Sequence, residues 1–148
     1  MDDKRIVLLV EDNPDDEALT LRALKKNNIL NEVVVARDGA EALGWLLGID
    51  GKSGGMPLDQ LAVVLLDLKL PKVNGLEVLR RLRADPRTKR LPIVILTSSK
   101  EEKDLASAYD FGANSYVQKP VEFAAFVEAA RHLGLYWLMT NAPPPMTR

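Results

Sequence analysis

Five short apolar runs divide the chain. IVLLV (Ile6–Val10) is continuous, rich in β-branched residues, and followed at once by acids. EVVVA (Glu32–Ala36), AVVLL (Ala62–Leu66), LPIVILT (Leu91–Thr97) and SYVQKP (Ser115–Pro120) follow the same pattern. Runs without polar alternation suit strands buried on both faces, as in parallel sheets. The stretches between them have helical spacing. In PDDEALTLRALKKNN, Ala18, Leu21 and Leu24 share a face, Pro14 fits the first turn, and acids precede lysines as the helix dipole favours. Asp38 caps GAEALGWLL, which ends near Gly48. GLEVLRRLRAD (Gly75–Asp85) stops before Pro86, and KEEKDLASAYDFGA stops at Gly112. VEFAAFVEAARHLGLYWLM reads as one last helix. Five alternations of strand and helix predict a doubly wound α/β fold, a five-stranded parallel sheet with five helices and right-handed crossovers. Residues 1–140 form one domain in this reading. The proline-rich tail 141–148, NAPPPMTR, is expected to be extended and disordered.

Composition narrows the class. The chain has 148 residues, enough for one domain with a full core. Net charge is −1, so no general attraction to nucleic acid or an anionic membrane is expected. There is no cysteine, hence no disulfide and no thiolate metal site. The opening MDDKRIVLLVED does not read as a signal peptide, and no apolar stretch approaches the roughly 18 residues of a membrane span. A soluble cytoplasmic protein is the expectation. GIDGKSGGMPLDQ (Gly48–Gln60) is the one long loop inside the domain, and loops of that length are functional or mobile.

The chemistry lies where the strands end. In an open α/β sheet, ligands bind beyond the carboxyl ends of the strands. The first run ends at Glu11 and Asp12, the third at Asp67, the fourth at Thr97 and the fifth at Lys119. With strand order 2-1-3-4-5 these ends share one rim. Three neighbouring carboxylates repel one another, and a cation relieves them. Oxygen-only ligands favour a hard metal, and Mg²⁺ leaves coordination places for phosphate oxygens. Asp67 could then attack phosphorus and form an aspartyl phosphate. Lys119 offers a point charge to a phosphoryl oxygen, and the Thr97 hydroxyl offers a hydrogen bond.

VEDN with Glu11 and Asp12, LLDLKLPKVNG with Asp67, ILTSS with Thr97 and YVQKP with Lys119 together resemble the receiver domains of two-component response regulators. The resemblance spans nearly the whole chain and implies the flavodoxin-like receiver fold. It implies that Asp67 is the phosphoacceptor, and that Glu11, Asp12, Asp67 and the backbone carbonyl of Lys69 hold Mg²⁺. It gives Thr97 and Lys119 the phosphoryl group to read, and Thr97 and Tyr116 a switch role. A narrower resemblance is to stand-alone regulators paired with phytochrome-type histidine kinases. It rests on VEDNPDD, the loop before the third strand, the DP–LP–ILTSS block, and KPVEFAAFVEA followed by YWL. It implies a sensor histidine kinase as partner, a phosphorylation-dependent output by protein contact, and pairing as a homodimer through the C-terminal helix region.

Plainer readings exist for each residue. Glu11 and Asp12 also suit a helix N-terminus, Thr97 suits a strand, and Tyr116 suits a core. His132, the only histidine, lies far from the acidic rim and reads as a surface or interface residue. RRLRADPRTKR reads as a solvated basic face. Leu133, Leu135, Tyr136, Trp137, Leu138 and Met139 read either as the end of a helix covered by its own domain or, the favoured reading, as a contact surface for a homodimer or a kinase, with Trp137 as an anchor. Two other functions compete. A Mg²⁺-dependent phosphohydrolase with an aspartate nucleophile needs a general acid two residues after Asp67, where Lys69 stands. A nucleotide-binding module is suggested by GKSGG, which lacks the full phosphate-loop pattern and precedes a strand.

Overall fold

In the computed structural model, residues 5–29, 31–48, 55–120 and 122–145 are described. Residues 49–54 of the long loop, Val121, the side chain of Met139 and the tail residues 146–148 lie outside that set. The strands are β1 (Ile6–Val10), β2 (Val33–Ala36), β3 (Leu61–Leu66), β4 (Ile93–Thr97) and β5 (Ser115–Gln118). The helices are α1 (Pro14–Lys26), α2 (Gly39–Leu47), α3 (Gly75–Ala84), α4 (Glu102–Asp110) and α5 (Phe123–Gly134). All strand pairs are parallel, in the order β2-β1-β3-β4-β5. This is the doubly wound, flavodoxin-like arrangement expected from the alternation.

Strand periodicity sorts the core into two layers. Leu8, Val10, Val64, Leu66, Ile93 and Ile95 face α2 and α3, where they meet Leu46, Leu79 and Leu82. Val7, Leu9, Val63, Leu65, Val94 and Leu96 face the other way, toward Trp137 and Leu138. On that second side α1 packs on α5 through Ala23, Leu24, Phe126 and Ala130. Both faces of the central strands are covered, which is why they carry no polar residue before Thr97, the last of β4.

Helix boundaries follow local chemistry. The Asn13 side chain accepts from the Asp15 and Asp16 amides, and Pro14 opens α1. Asp38 and Asn74 cap α2 and α3 through the Glu41 and Glu77 amides. Gly112, at φ 100°, takes the left-handed turn that ends α4, two residues after its last helical position.

Two expectations change. The last helix does not run regularly to Met139. After Gly134 it widens into π geometry over Leu135–Thr140. The wider turn lets the consecutive residues Trp137 and Leu138 both reach the sheet, where each is under 9% exposed. Trp137 packs with Val7, Val63 and Val94, and the Arg5 guanidinium donates to the Leu138 carbonyl at 2.7 Å. Trp137 is therefore core of its own domain and not an interface anchor. Trp137→Ala is expected to cost about 2 kcal/mol in urea unfolding, less than for a central aromatic because the terminal segment can undock. Sedimentation velocity should show no change in association beyond that caused by the loss of fold. Leu135 and Tyr136 remain exposed on the same segment.

Most of the basic stretch is a solvated face, with Arg80, Arg81, Lys89 and Arg90 exposed, but Arg83 is not. Arg83 donates to the carbonyls of Lys89, Leu91 and Gly112 and to the Asn114 side chain, at 2.7 to 3.0 Å. Burial lowers its pKa. It ties the end of α3 to the start of β4 and to the turn before β5.

Candidate functional site

The sheet register assembles the rim. Val10 is level with Leu66, Leu66 with Ile95, and Thr97 with Gln118. Glu11 and Asp67 therefore follow β1 and β3 at one height, while Thr97 ends β4 two residues past Ile95 and Lys119 follows its neighbour Gln118, each a step further along. Backbone bonds extend the ladder one step further, from the Asp67 amide to the Val10 carbonyl and from the Lys119 amide to the Thr97 carbonyl. Glu11, Asp67, Thr97 and Lys119 are thus placed by strand pairing, before any side chain interacts.

Asp67 is held on all sides at 7% exposure. Its Oδ1 accepts from the Thr97 hydroxyl at 2.9 Å and from the Lys69 amide at 3.2 Å. Its Oδ2 accepts from Lys119 Nζ at 3.1 Å. The same ammonium donates to Glu11 Oε1 at 2.5 Å and to Asp16 Oδ2 at 3.0 Å. The other Glu11 oxygen accepts from the Asn13 amide at 3.1 Å. Burial lifts the Glu11 carboxyl to about 7, against the Lys119 hydrogen bond and with help from the Asp67 charge. Burial alone would lower the Lys119 ammonium, yet its bonds to Glu11 and Asp16 and the Asp67 charge raise it. Lys119 is charged throughout the ordinary pH range.

Glu11, Asp12 and Asp67 each offer a carboxylate oxygen, and these oxygens lie within 4.8 Å of one another. Asp12 is exposed while the other two are buried. Three hard oxygens with one side open suit a divalent cation that keeps waters. A cleft of about 460 Å³ opens beside them, lined by Asp12, Lys69, Asn74 and Asp104. Lys69 Nζ stands 3.9 Å from Asp104, whose carboxylate also accepts from the Ser99 hydroxyl. Tyr116 is half-buried on the α3 and α4 side of the core, and its hydroxyl donates to the Ser99 carbonyl at 3.2 Å. His132 is exposed beside Glu128, far from this rim in sequence and on another element.

The structure thus brings together Glu11, Asp12, Asp67, Thr97 and Lys119, with Lys69 in the turn after Asp67 and Tyr116 one layer away. Asp16 and Asp104 are additions. Both sit in the first turn of a helix, where an acid already has a sufficient explanation in the dipole.

The rim is thus a strand-end carboxylate held by a hydroxyl and an ammonium, beside three carboxylates able to take a cation, on a doubly wound parallel sheet. The response regulator receiver domain model matches residues 7–131, and the chain belongs to that family. It is 34% identical over 140 residues to response regulator Rcp1 of Synechocystis sp., covering 95% of this chain and 93% of that protein. The structure of the bacteriophytochrome response regulator AtBRR matches at 52% identity and TM-score 0.70, over 93% of this chain and 98% of that one. The Mn(2+)-bound form of Rcp1 matches at 33% identity and TM-score 0.83, over 95% and 99%. The chain is a response regulator related to those of phytochrome signalling, in a family whose acidic pocket takes a divalent metal. No helix among the described residues is long and apolar enough to cross a membrane.

Proposed function

We propose that Asp67 accepts a phosphoryl group from the phosphohistidine of a sensor histidine kinase of the phytochrome type, in the cytoplasm. One observation carries this reading: Asp67 closes β3 with the Thr97 hydroxyl, the Lys119 ammonium and the Lys69 amide all aimed at its carboxylate. An Asp67 oxygen attacks phosphorus, the phosphorus–nitrogen bond breaks, and the imidazole leaves with a proton from solvent. Lys119 and Thr97 turn donors from the carboxylate to phosphoryl oxygens, which places positive charge where negative charge gathers. Glu11, Asp12, Asp67 and the Lys69 carbonyl would hold Mg²⁺, which supplies charge neutralisation of the incoming group.

An added phosphoryl charge of about −1.5 to −2 at this rim biases a two-state element. Thr97 leads through Ser99 to Tyr116, so the switch runs from the acceptor into α4 and β5. The output is a protein contact, and Leu135 and Tyr136, exposed at the end of the last helix, are the surface proposed for a homodimer. Residues 1–140 are the working unit in this reading, with 141–148 as an appendage. The chain promotes gain and loss of its own phosphoryl group without turnover of a separate substrate. A phosphohydrolase would need an acid where Lys69 stands.

Intact-mass spectrometry after acetyl phosphate is the test. One phosphoryl group should appear with Mg²⁺ and none after chelation. A protein that gains no mass and binds no beryllofluoride would overturn the reading.

A further inference from the structure

We infer that Asp16 is a positioning residue for Lys119, and that the phosphoryl-accepting site proposed above uses four acids instead of three. The inference rests on that reading of the site. An ammonium has three donors and no acceptor. Lys119 Nζ has three carboxylate partners within hydrogen-bond distance, just after β1, in the first turn of α1 and just after β3: Glu11, Asp16 and Asp67. With a 6% exposed side chain it has little water to turn to.

The three partners differ in what else they must do. Asp67 becomes the phosphorylated group, so its bond is the one Lys119 gives up to a phosphoryl oxygen. Glu11 belongs to the acids that converge as a cation site, and a cation there competes with Lys119 for its charge. Asp16 stands outside that convergence. Its bond to Lys119 is the one that neither event claims.

Asp16 is also firmly placed. Its amide donates to the Asn13 cap at 3.1 Å, and its carbonyl accepts from the Thr20 hydroxyl at 2.9 Å. Pro14 fixes the backbone two residues earlier. The α1 start is thereby an arm that holds the Lys119 ammonium over Asp67 when a second cation shares the pocket.

The probe is beryllofluoride titrated at saturating Mg²⁺ and followed by fluorine NMR. It would be applied to wild type, Asp16→Asn, Asp16→Glu, Lys119→Met and the Asp16→Asn/Lys119→Met double variant. Asp16→Asn should weaken binding about fivefold, the scale of a charge-assisted bond discounted for a side chain one-third exposed. Asp16→Glu should recover most of the loss. The double variant should bind as Lys119→Met alone does, because Asp16 acts through Lys119. Wild-type affinity in Asp16→Asn, or losses that add in the double variant, would overturn the inference. Asp67→Asn in the same series separates the two levels. If it binds beryllofluoride normally, the site itself has been misread, whatever Asp16 does.

Discussion

Asp67→Asn abolishes phosphorylation and leaves a folded protein. The substitution keeps the size of the side chain and one carbonyl oxygen. That oxygen can still accept from the Thr97 hydroxyl and the Lys69 amide. The second atom becomes an amide nitrogen, a donor 3.1 Å from the donor Lys119. A nucleophilic oxygen is lost, and no other acid can replace it. Glu11 already accepts Lys119 and the Asn13 amide, and Asp12 is exposed, without the Thr97 and Lys119 donors that hold Asp67. Stability has two opposed parts. Lys119 loses one partner but keeps Glu11 and Asp16, while the buried acids lose a like-charged neighbour. The net change should fall within about 2 kcal/mol of wild type by urea unfolding. Intact mass after acetyl phosphate and Mg²⁺ should show no added group. A variant that labels at the wild-type level would move the chemistry away from Asp67.

The rim was legible because its residues end apolar runs. A strand buried on both faces carries no polar group without cause, so Glu11, Asp67 and Thr97 stood out against β1, β3 and β4, and Lys119 by its place before Pro120 at the end of β5. Parallel pairing then did the rest, since it brings neighbouring strand ends to one edge of the sheet. The same logic could not reach Asp16. Its partner lies 103 residues away, and a helix N-terminus explains an acid by itself. Arg83 was hidden for the opposite reason. Among the other arginines of that stretch it reads as surface, and only the fold of the turns around β4 closes carbonyls over it. Trp137 was misplaced because an aromatic in an apolar stretch beyond the last charge, Arg131, reads as an interface anchor. In the fold the π segment instead turns Trp137 and Leu138 onto the sheet.

Gly75→Ala should damage both the fold and the site with a single added methyl group. Gly75 opens α3, and its amide donates to the Leu68 carbonyl at 2.9 Å. The start of α3 is thereby drawn onto the turn that follows Asp67. A Cβ on Gly75 would lie 2.1 Å from the Asp67 carbonyl oxygen and 2.6 Å from the Leu68 Cα. Both neighbours are backbone, so no side chain can swing aside, and either α3 or the Asp67–Lys69 turn must move. A cost of about 3 kcal/mol follows, at the upper end for overpacking. The turn carries the acceptor and the Lys69 amide that orients it, so Mg²⁺ affinity and the rate of phosphorylation should each fall at least about tenfold, as expected when a reacting group shifts by a fraction of an ångström to an ångström. Gly44→Ala is the matched control. A Cβ at Gly44 meets nothing within 4 Å, and the residue sits inside α2. There alanine should stabilise by about 0.5 to 1 kcal/mol through helix propensity and a less flexible unfolded chain. Urea unfolding and Mg²⁺ calorimetry on the two variants test the same chemical change in opposite surroundings. If Gly75→Ala keeps wild-type Mg²⁺ affinity while losing stability, α3 has yielded instead of the turn, and the acceptor is positioned by its strand alone.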